Sequence, residues 1–193
     1  MIGALRSLRR FVAIVSVVLL SACAAHPQAR LVQPVWTVTR TGPLTGPAFD
    51  PNVKAVCDAP AGWKSQPLVS AADHADQVWL SPTGATAYGV IHFIMPFPVG
   101  VDFALSAFLD HMRKDNGEAT LLAHSHDPAL PGIRFVAEDQ THVIHANLFV
   151  AGWEGWAVYA GTLRNAPINQ EELDIAQVAR ENTRVGQPEK VDN

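Results

Sequence analysis

The sequence predicts an α+β domain in which two helices pack on a mainly antiparallel sheet. Most segments with a regular pattern are short runs whose apolar residues alternate or follow one another, as they do in strands. Only two segments, at about 101–116 and 170–184, have the periodicity of amphipathic helices. Two helices are too few to connect the strands of an all-parallel sheet, because every parallel connection needs a crossover.

The first half of the domain contains the predicted central strand. Strands are expected at Val53–Ala59, Gln77–Ser81 and Thr86–Met95, and a short extended piece is expected at Trp63–Gln66. The segments Pro60–Gly62 and Pro82–Gly84 have the composition of turns. Both faces of Thr86–Met95 are apolar, which indicates a central strand that is covered on both sides.

The clearest helix is predicted over Val101–Asn116. Its apolar residues recur at helical spacing, at Leu105, Phe108, Leu109 and Met112. Asp102 near the start can cap the helix or face its positive end, and Gly117 can end it.

The second half of the domain contains a run of strands and then a closing helix. The strands are predicted at Ala119–Ala123, Gly132–Glu138, His142–Ala151 and Trp156–Leu163. Residues 152–155 form the expected hairpin turn between the last two strands. Asn169 and Glu172 resemble a capping box at the start of the helix over about 170–184.

A short apolar run near the start of the sequence ends on a cysteine. It follows three arginines and spans about 10 residues, against the roughly 17–25 that a membrane-spanning helix needs. Leu20-Ser21-Ala22-Cys23 resembles the lipobox of bacterial lipoproteins, in which signal peptidase II cuts before the cysteine. This resemblance implies a lipid on the Cys23 thiol and attachment to a membrane. An ordinary secretory signal with an incidental cysteine is the alternative.

These patterns divide the sequence into four regions. Residues 1–22 are the predicted lipoprotein signal peptide, and residues 23–52 are a lipidated tether followed by an arm rich in proline and glycine. A short strand is predicted within the arm, at Val35–Arg40. Residues 53–186 form the α+β domain, and residues 187–193 form a polar tail.

Charge and cysteine content exclude several classes of protein. The formal net charge is −4, and it becomes −7 without the signal peptide, which contains three arginines and no acidic residue. An acidic chain without a basic run argues against nucleic-acid binding and against electrostatic attraction to anionic lipids. If Cys23 carries a lipid, Cys57 has no partner for an intramolecular disulfide. Cys57 is then either a small buried apolar residue or an intermolecular bridge.

The element order resembles the PsbP/Mog1-like fold over about residues 55–185. The features that carry this resemblance are Pro60-Ala61-Gly62-Trp63 at the start of the domain and the helix that closes it. The resemblance implies a non-enzymatic binding or assembly factor, because members of that superfamily are usually of this kind and some are lipid-anchored. It identifies no functional residue.

Among the titratable residue types, histidine is the one best suited to form a metal or catalytic site. His124 and His126 share one face of an extended segment, but a zinc site would also need a carboxylate such as Asp127 or Asp139. Solvated loop histidines are the alternative to a metal site, and we expect no metal. His92 lies in the central strand, where it is either a base or ligand contact or a strand histidine without such a role.

Two tryptophans lie beside the predicted hairpin turn. Trp153 and Trp156 can contact a protein partner, a glycan or the membrane interface if their rings are exposed. The alternative is that both rings cover the core at the end of the sheet.

The sequence thus predicts a lipid-anchored protein of the cell envelope that binds a protein partner or a small ligand. Ala24 after the cysteine, rather than Asp, favours the outer membrane, with the domain facing the periplasm. No nucleophile elbow, Walker loop, zinc-protease motif or dinucleotide fingerprint occurs, so we expect neither catalysis nor a cofactor. The alternatives are an envelope hydrolase with a histidine–carboxylate or metal site, and a structural module without a ligand.

Overall fold

The computed structural model describes residues 42–126 and 132–186. The predicted signal peptide, Cys23, most of the tether, the strand expected at Val35–Arg40, Asp127 and the polar tail lie outside these residues. The described residues form an α+β fold with antiparallel sheets and two helices, as the sequence predicts.

The elements follow one another along the chain with short connections. The helices are α1 (Val101–Asn116) and α2 (Gln170–Asn182). The strands before α1 are β1 (Ala48–Asp50), β2 (Ala55–Cys57), β3 (Lys64–Ser65), β4 (Val69–Ser70), β5 (His74–Leu80) and β6 (Thr86–Ile94). The strands after α1 are β7 (Thr120–His126), β8 (Gly132–Glu138), β9 (His142–Ala151), β10 (Glu154–Leu163) and β11 (Arg184–Val185).

The larger sheet has long antiparallel pairings at its centre. Its strand order is β3-β5-β6-β10-β9-β8-β7, with β4 also paired to β5. Strands β6 and β10 pair continuously from Thr86 opposite Thr162 to Ile94 opposite Glu154. This position of β6, between β5 and β10, confirms that the segment from Thr86 is a central strand.

The two helices cover opposite faces of the larger sheet. Ala87, Ile91 and Phe93 of β6 belong to the core cluster that α1 completes. Tyr88 and Val90, which alternate with them, belong to the second cluster, which α2 completes. The domain therefore has three layers, with the sheet in the middle and apolar side chains on both of its faces.

The smaller sheet pairs strands from the start and the end of the described residues. It has the order β1-β2-β11, and Leu44 forms a further bridge with Pro60. The indole Nε1 of Trp156 donates to the Val53 carbonyl oxygen at 3.0 Å, across 103 residues of sequence. The C-terminal part of the predicted arm thus contacts the body of the domain.

Helix α1 has both of the bounds that the sequence predicts. Gly117 follows it with a φ of 84°, a left-handed conformation that favours glycine at a helix end. Asp102 does not cap the helix, because the N-cap residue is Gly100 and no side chain accepts from the first turn. Instead, Asp102 Oδ1 lies 3.2 Å from His126 Nε2.

Helix α2 begins as predicted but ends earlier. Asn169 caps it by accepting from the backbone N–H groups of Glu171 and Glu172. Glu172 does not return a bond to Asn169, because its carboxylate accepts from the backbone N and the hydroxyl of Thr83. The helix stops at Asn182, since Arg184 pairs with β2 as part of β11.

Several strands differ in extent from the prediction. Strand β2 covers only the middle of the expected Val53–Ala59, because the chain turns on both sides of it. Strand β5 begins three residues earlier, at His74, β7 continues to His126, and β10 begins at Glu154. The hairpin turn is therefore limited to Gly152 and Trp153.

Two aromatic rings on the α1 face of the sheet lie over the glycines directly opposite them. Tyr159 is paired with Gly89, and Phe93 is paired with Gly155. A Cβ atom on either glycine would overlap the ring of its partner. The absence of a side chain at these two positions is what lets the rings lie flat on the sheet.

Replacing Gly89 by alanine should therefore destabilise the domain. We expect Gly89→Ala to lower the free energy of unfolding by about 1–3 kcal/mol, because the added methyl group displaces the Tyr159 ring from a packed core. Urea unfolding followed by circular dichroism measures the change.

Gly161→Ala is the matched control in the partner strand. Its added Cβ would have its nearest neighbour at 3.7 Å, an ordinary contact distance, so its stability should stay close to that of the original protein. Equal stabilities of the two variants would contradict the close packing of Tyr159 on Gly89.

Candidate functional site

A pocket of about 360 Å³ opens beside α1 on one face of the larger sheet. Its walls come from α1, β5, the end of β6 and the loop that joins β6 to α1. Most of the lining side chains are apolar, among them Ile91, Phe93, Met95, Phe97, Phe103 and Phe108. This volume lies within the roughly 300–1,000 Å³ that is typical of small-molecule sites.

The pocket exists because α1 does not cover its face of the sheet evenly. The helix packs mainly on β8 and β9, so β5 and the end of β6 lie at its side. The connecting loop closes one end of this space, where the Met95 backbone N–H donates to the Trp153 carbonyl oxygen at 2.7 Å.

Asp76 on β5 brings a carboxylate to this apolar space. The alternation of β5 places Asp76 on the same face as Val78, and its partner on β6 is Ile91. Only 5% of Asp76 is exposed, and its buried Oδ1 has no hydrogen-bond partner among the described residues. Burial raises the pKa of the Asp76 carboxyl to about 6, although the nearby charge of His74 opposes this effect.

Other titratable side chains lie around Asp76. Asp73 and His74 line the pocket at the start of β5, with His74 Nδ1 at 3.1 Å from Asp73 Oδ1. The hydrogen bond from His74 lowers the pKa of Asp73. His111 contributes from α1. On β10, burial is the main cause of the raised pKa of Tyr159, and the charge of Asp76 adds to it.

Among the residues that the structure describes, no lysine or arginine lines the pocket. No serine, threonine or cysteine of this part of the chain lines it either, so none of these can act there as a nucleophile. The arrangement is therefore suited to holding an apolar molecule next to a hydrogen-bond acceptor.

The mouth of the pocket has exposed apolar side chains. Ile94, Phe97 and Phe103 all line the pocket and are each about half exposed. The rings of Phe97 and Phe103 lie 6.2 Å apart between centroids. Such a cluster extends the apolar surface of the pocket toward solvent.

The two tryptophans predicted to contact a partner lie in different environments. Trp153 is 54% exposed on the turn between β9 and β10, next to the loop that closes the pocket. Trp156 is only 3% exposed and packs in the core on the α2 face. Trp156 is thus a core residue, whereas Trp153 is open to a partner.

His92 lies on the opposite face of the sheet from the pocket. It is 5% exposed, its ring centroid is 5.2 Å from that of Trp156, and its Nε2 is 3.5 Å from Glu154 Oε1. Lys54 also donates to Glu154 Oε1. Burial is the main cause that lowers the pKa of His92. The structure therefore does not bring His92 to the pocket.

The histidines considered as metal ligands are exposed on β7. His124 and His126 lie opposite Phe135 and Ile133 of β8, and His126 is next to Asp102. The carboxylate of Asp139 accepts instead from Thr141 and from the backbone N–H of His142. Within residues 42–126 and 132–186, no group of three or more ligating side chains could hold a metal ion.

The sequence interpretation missed Asp76 because the predicted strand began one residue after it. The signal was present: Asp76, Val78 and Leu80 alternate, so extending the strand by one residue places the acid on an apolar face.

Comparisons with known proteins assign the chain to no family. No family profile matches it, and no curated protein is significantly similar. A crystal structure from Bacteroides thetaiotaomicron VPI-5482 is similar with a TM-score of 0.37 and 12% identity. The match covers 73% of this chain and 48% of that one, so this chain spans about half of its length. Neither helix in the described part of this chain is long and apolar enough to cross a membrane.

Removing the Asp76 charge should stabilise the domain at neutral pH. The pKa of Asp76 is about 6 in the folded state against an ordinary value of 3.8, so the folded state binds more protons between these values. Stability therefore falls as the pH rises through this window. We expect Asp76→Asn to raise the free energy of unfolding at pH 7.5 by about 1–3 kcal/mol, and the gain should vanish near pH 4.

Urea unfolding at the two pH values measures this effect. Asp110→Asn is the control, because Asp110 is exposed on α1, lies outside the pocket and also loses one negative charge. A gain of equal size at both pH values, or an equal gain in the control, would show that burial of the Asp76 charge is not the cause.

Proposed function

We propose that this protein is a lipid-anchored component of the bacterial cell envelope and that its domain binds a small, largely apolar ligand. The pocket beside α1 is the observation that carries the proposal. It combines an apolar wall, a volume suited to a small molecule and one buried carboxylate, of which one oxygen has no hydrogen-bond partner in the described part of the chain. Burying such a group costs stability, and groups of this kind are concentrated at binding and catalytic sites.

The shape of the site favours a small ligand over a protein partner. The apolar side chains Phe93, Met95 and Phe108 line a concave space rather than a flat surface. The exposed rings of Phe97 and Phe103 at its mouth widen the apolar surface over which a ligand can enter.

The chemistry of the pocket favours binding over catalysis. Asp76 could move a proton, since its pKa lies near 6. However, no serine, threonine or cysteine of the described residues lines the pocket beside it. His92, which the sequence offers as a base, contacts Glu154 on the α2 face of the sheet, away from the pocket.

The start of the sequence supports the proposed position in the cell. The lipobox at Leu20–Cys23 supports a lipid anchor, and Ala24 supports the periplasmic face of the outer membrane. The chain from Cys23 to Gly42 reaches at most about 65 Å when it is fully extended. The pocket would therefore stay close to the membrane that carries the anchor.

Filling the pocket should abolish ligand binding. Ala107 lines the pocket from α1, so Ala107→Trp places an indole in the space that a ligand needs. We expect the fluorescent probe N-phenyl-1-naphthylamine, which is apolar and neutral, to bind the soluble domain. Its affinity should fall at least tenfold in the variant.

Ser106→Trp is the matched control, because Ser106 is exposed on the same helix but does not line the pocket. Circular dichroism checks that both variants are folded. If the probe does not bind the original domain, or binds both variants equally well, the pocket is not a ligand site.

Removing the lipid-accepting thiol should block maturation. We expect Cys23→Ala to accumulate as an unprocessed precursor without lipid, because signal peptidase II cuts only before a modified cysteine. Mass spectrometry of the membrane fraction measures the N-terminus and the attached lipid. Normal processing of the variant would refute the anchor, and Cys57→Ala serves as the control cysteine variant.

A further inference from the structure

We propose that the pocket selects amphiphilic amines, whose apolar body fills the cavity and whose protonated amino group donates to the carboxylate of Asp76. This inference rests on the proposed function, since it names the class of ligand that the same pocket would bind. It depends on the placement of a buried carboxylate among the apolar side chains that line the pocket.

The described residues supply no hydrogen-bond donor to Oδ1 of Asp76. This oxygen is buried and has no hydrogen-bond partner in the described part of the chain. An ionised carboxylate only accepts hydrogen bonds, so a suitable ligand must donate. A bond between a cationic donor and a carboxylate is about twice as strong as a neutral one. A protonated amine is the simplest group that provides both the donor and the balancing charge.

The other charges at the pocket disfavour an anionic ligand. Asp73 and Asp76 both line it, and among the described residues neither lysine nor arginine does. The charge of His74 is shared with Asp73, whose Oδ1 lies 3.1 Å from its Nδ1. A fatty acid or a phosphate head would therefore meet two carboxylates and no lysine or arginine of the described residues. The charges at the pocket therefore disfavour the binding of a fatty acid or a phosphate group.

The walls also suit a cation attached to a hydrocarbon. Four phenylalanines line the pocket: Phe93, Phe97, Phe103 and Phe108. Their edges and faces pack against an apolar chain, and aromatic faces attract cations near them. The apolar part of the ligand would be removed from water in the same space.

The preference for an amine should depend on pH. The titratable groups that face Asp76 are Asp73 and His74 at the start of β5, His111 on α1 and Tyr159 on β10. Because the pKa of Asp76 is about 6, this carboxylate is ionised at pH 8 and mostly protonated at pH 5. The charge that attracts the amine is therefore largely lost at the lower pH.

The test compares three ligands that share one tail and differ in their head. Octylamine, 1-octanol and octanoate each compete with N-phenyl-1-naphthylamine on the soluble domain at pH 8. We expect octylamine to compete at least tenfold more strongly than 1-octanol, and octanoate to compete most weakly. At pH 5, the ratio between amine and alcohol should fall by at least threefold.

Asp76→Asn should abolish the preference for the amine while it leaves competition by 1-octanol in place. Asp110→Asn removes the same charge outside the pocket and should keep the preference. Equal competition by the three ligands, or a preference that survives in Asp76→Asn, would overturn the ligand class and leave the pocket as an apolar site. Failure of the probe itself to bind would instead overturn the proposed function.

Discussion

The pairing of β6 with β10 is the constraint on which the rest of the fold depends. It runs without interruption from Thr86 to Ile94 at the centre of the sheet, and it sets which side chains each helix covers. On the α1 face, this register places Tyr159 over Gly89 and Phe93 over Gly155. Of these two rings, Phe93 lines the pocket, which lies beside α1.

Apolar packing on this face of the sheet does not account for the buried carboxylate of Asp76. An asparagine or a valine there would avoid the cost of burying a charge, whereas one oxygen of Asp76 has no donor among the described residues. Its neighbours on the same face of β5, Val78 and Leu80, pack in the ordinary way. A ligand that donates to Asp76 would compensate for this cost. The buried charge of Asp76 would then both lower the stability of the ligand-free domain and favour the binding of a hydrogen-bond donor.

Local sequence patterns predicted the elements better than they predicted the site. The bounds of α1, β8 and β9 were predicted correctly because strand and helix periodicity is carried by neighbouring residues. Trp156 could not be assigned to the core in this way, since its hydrogen-bond partner, Val53, is 103 residues away. The pocket depends on how far α1 is offset from β5, which is a property of the packed layers.

The most direct test of this account is the titration of the Asp76 side-chain carboxyl by carbon-13 NMR, with and without octylamine. The account predicts a pKa of about 6 in the free domain and a clear decrease when the amine is bound, because the amine stabilises the charged form. An ordinary pKa in the free domain, or a value that octylamine leaves unchanged, would contradict it.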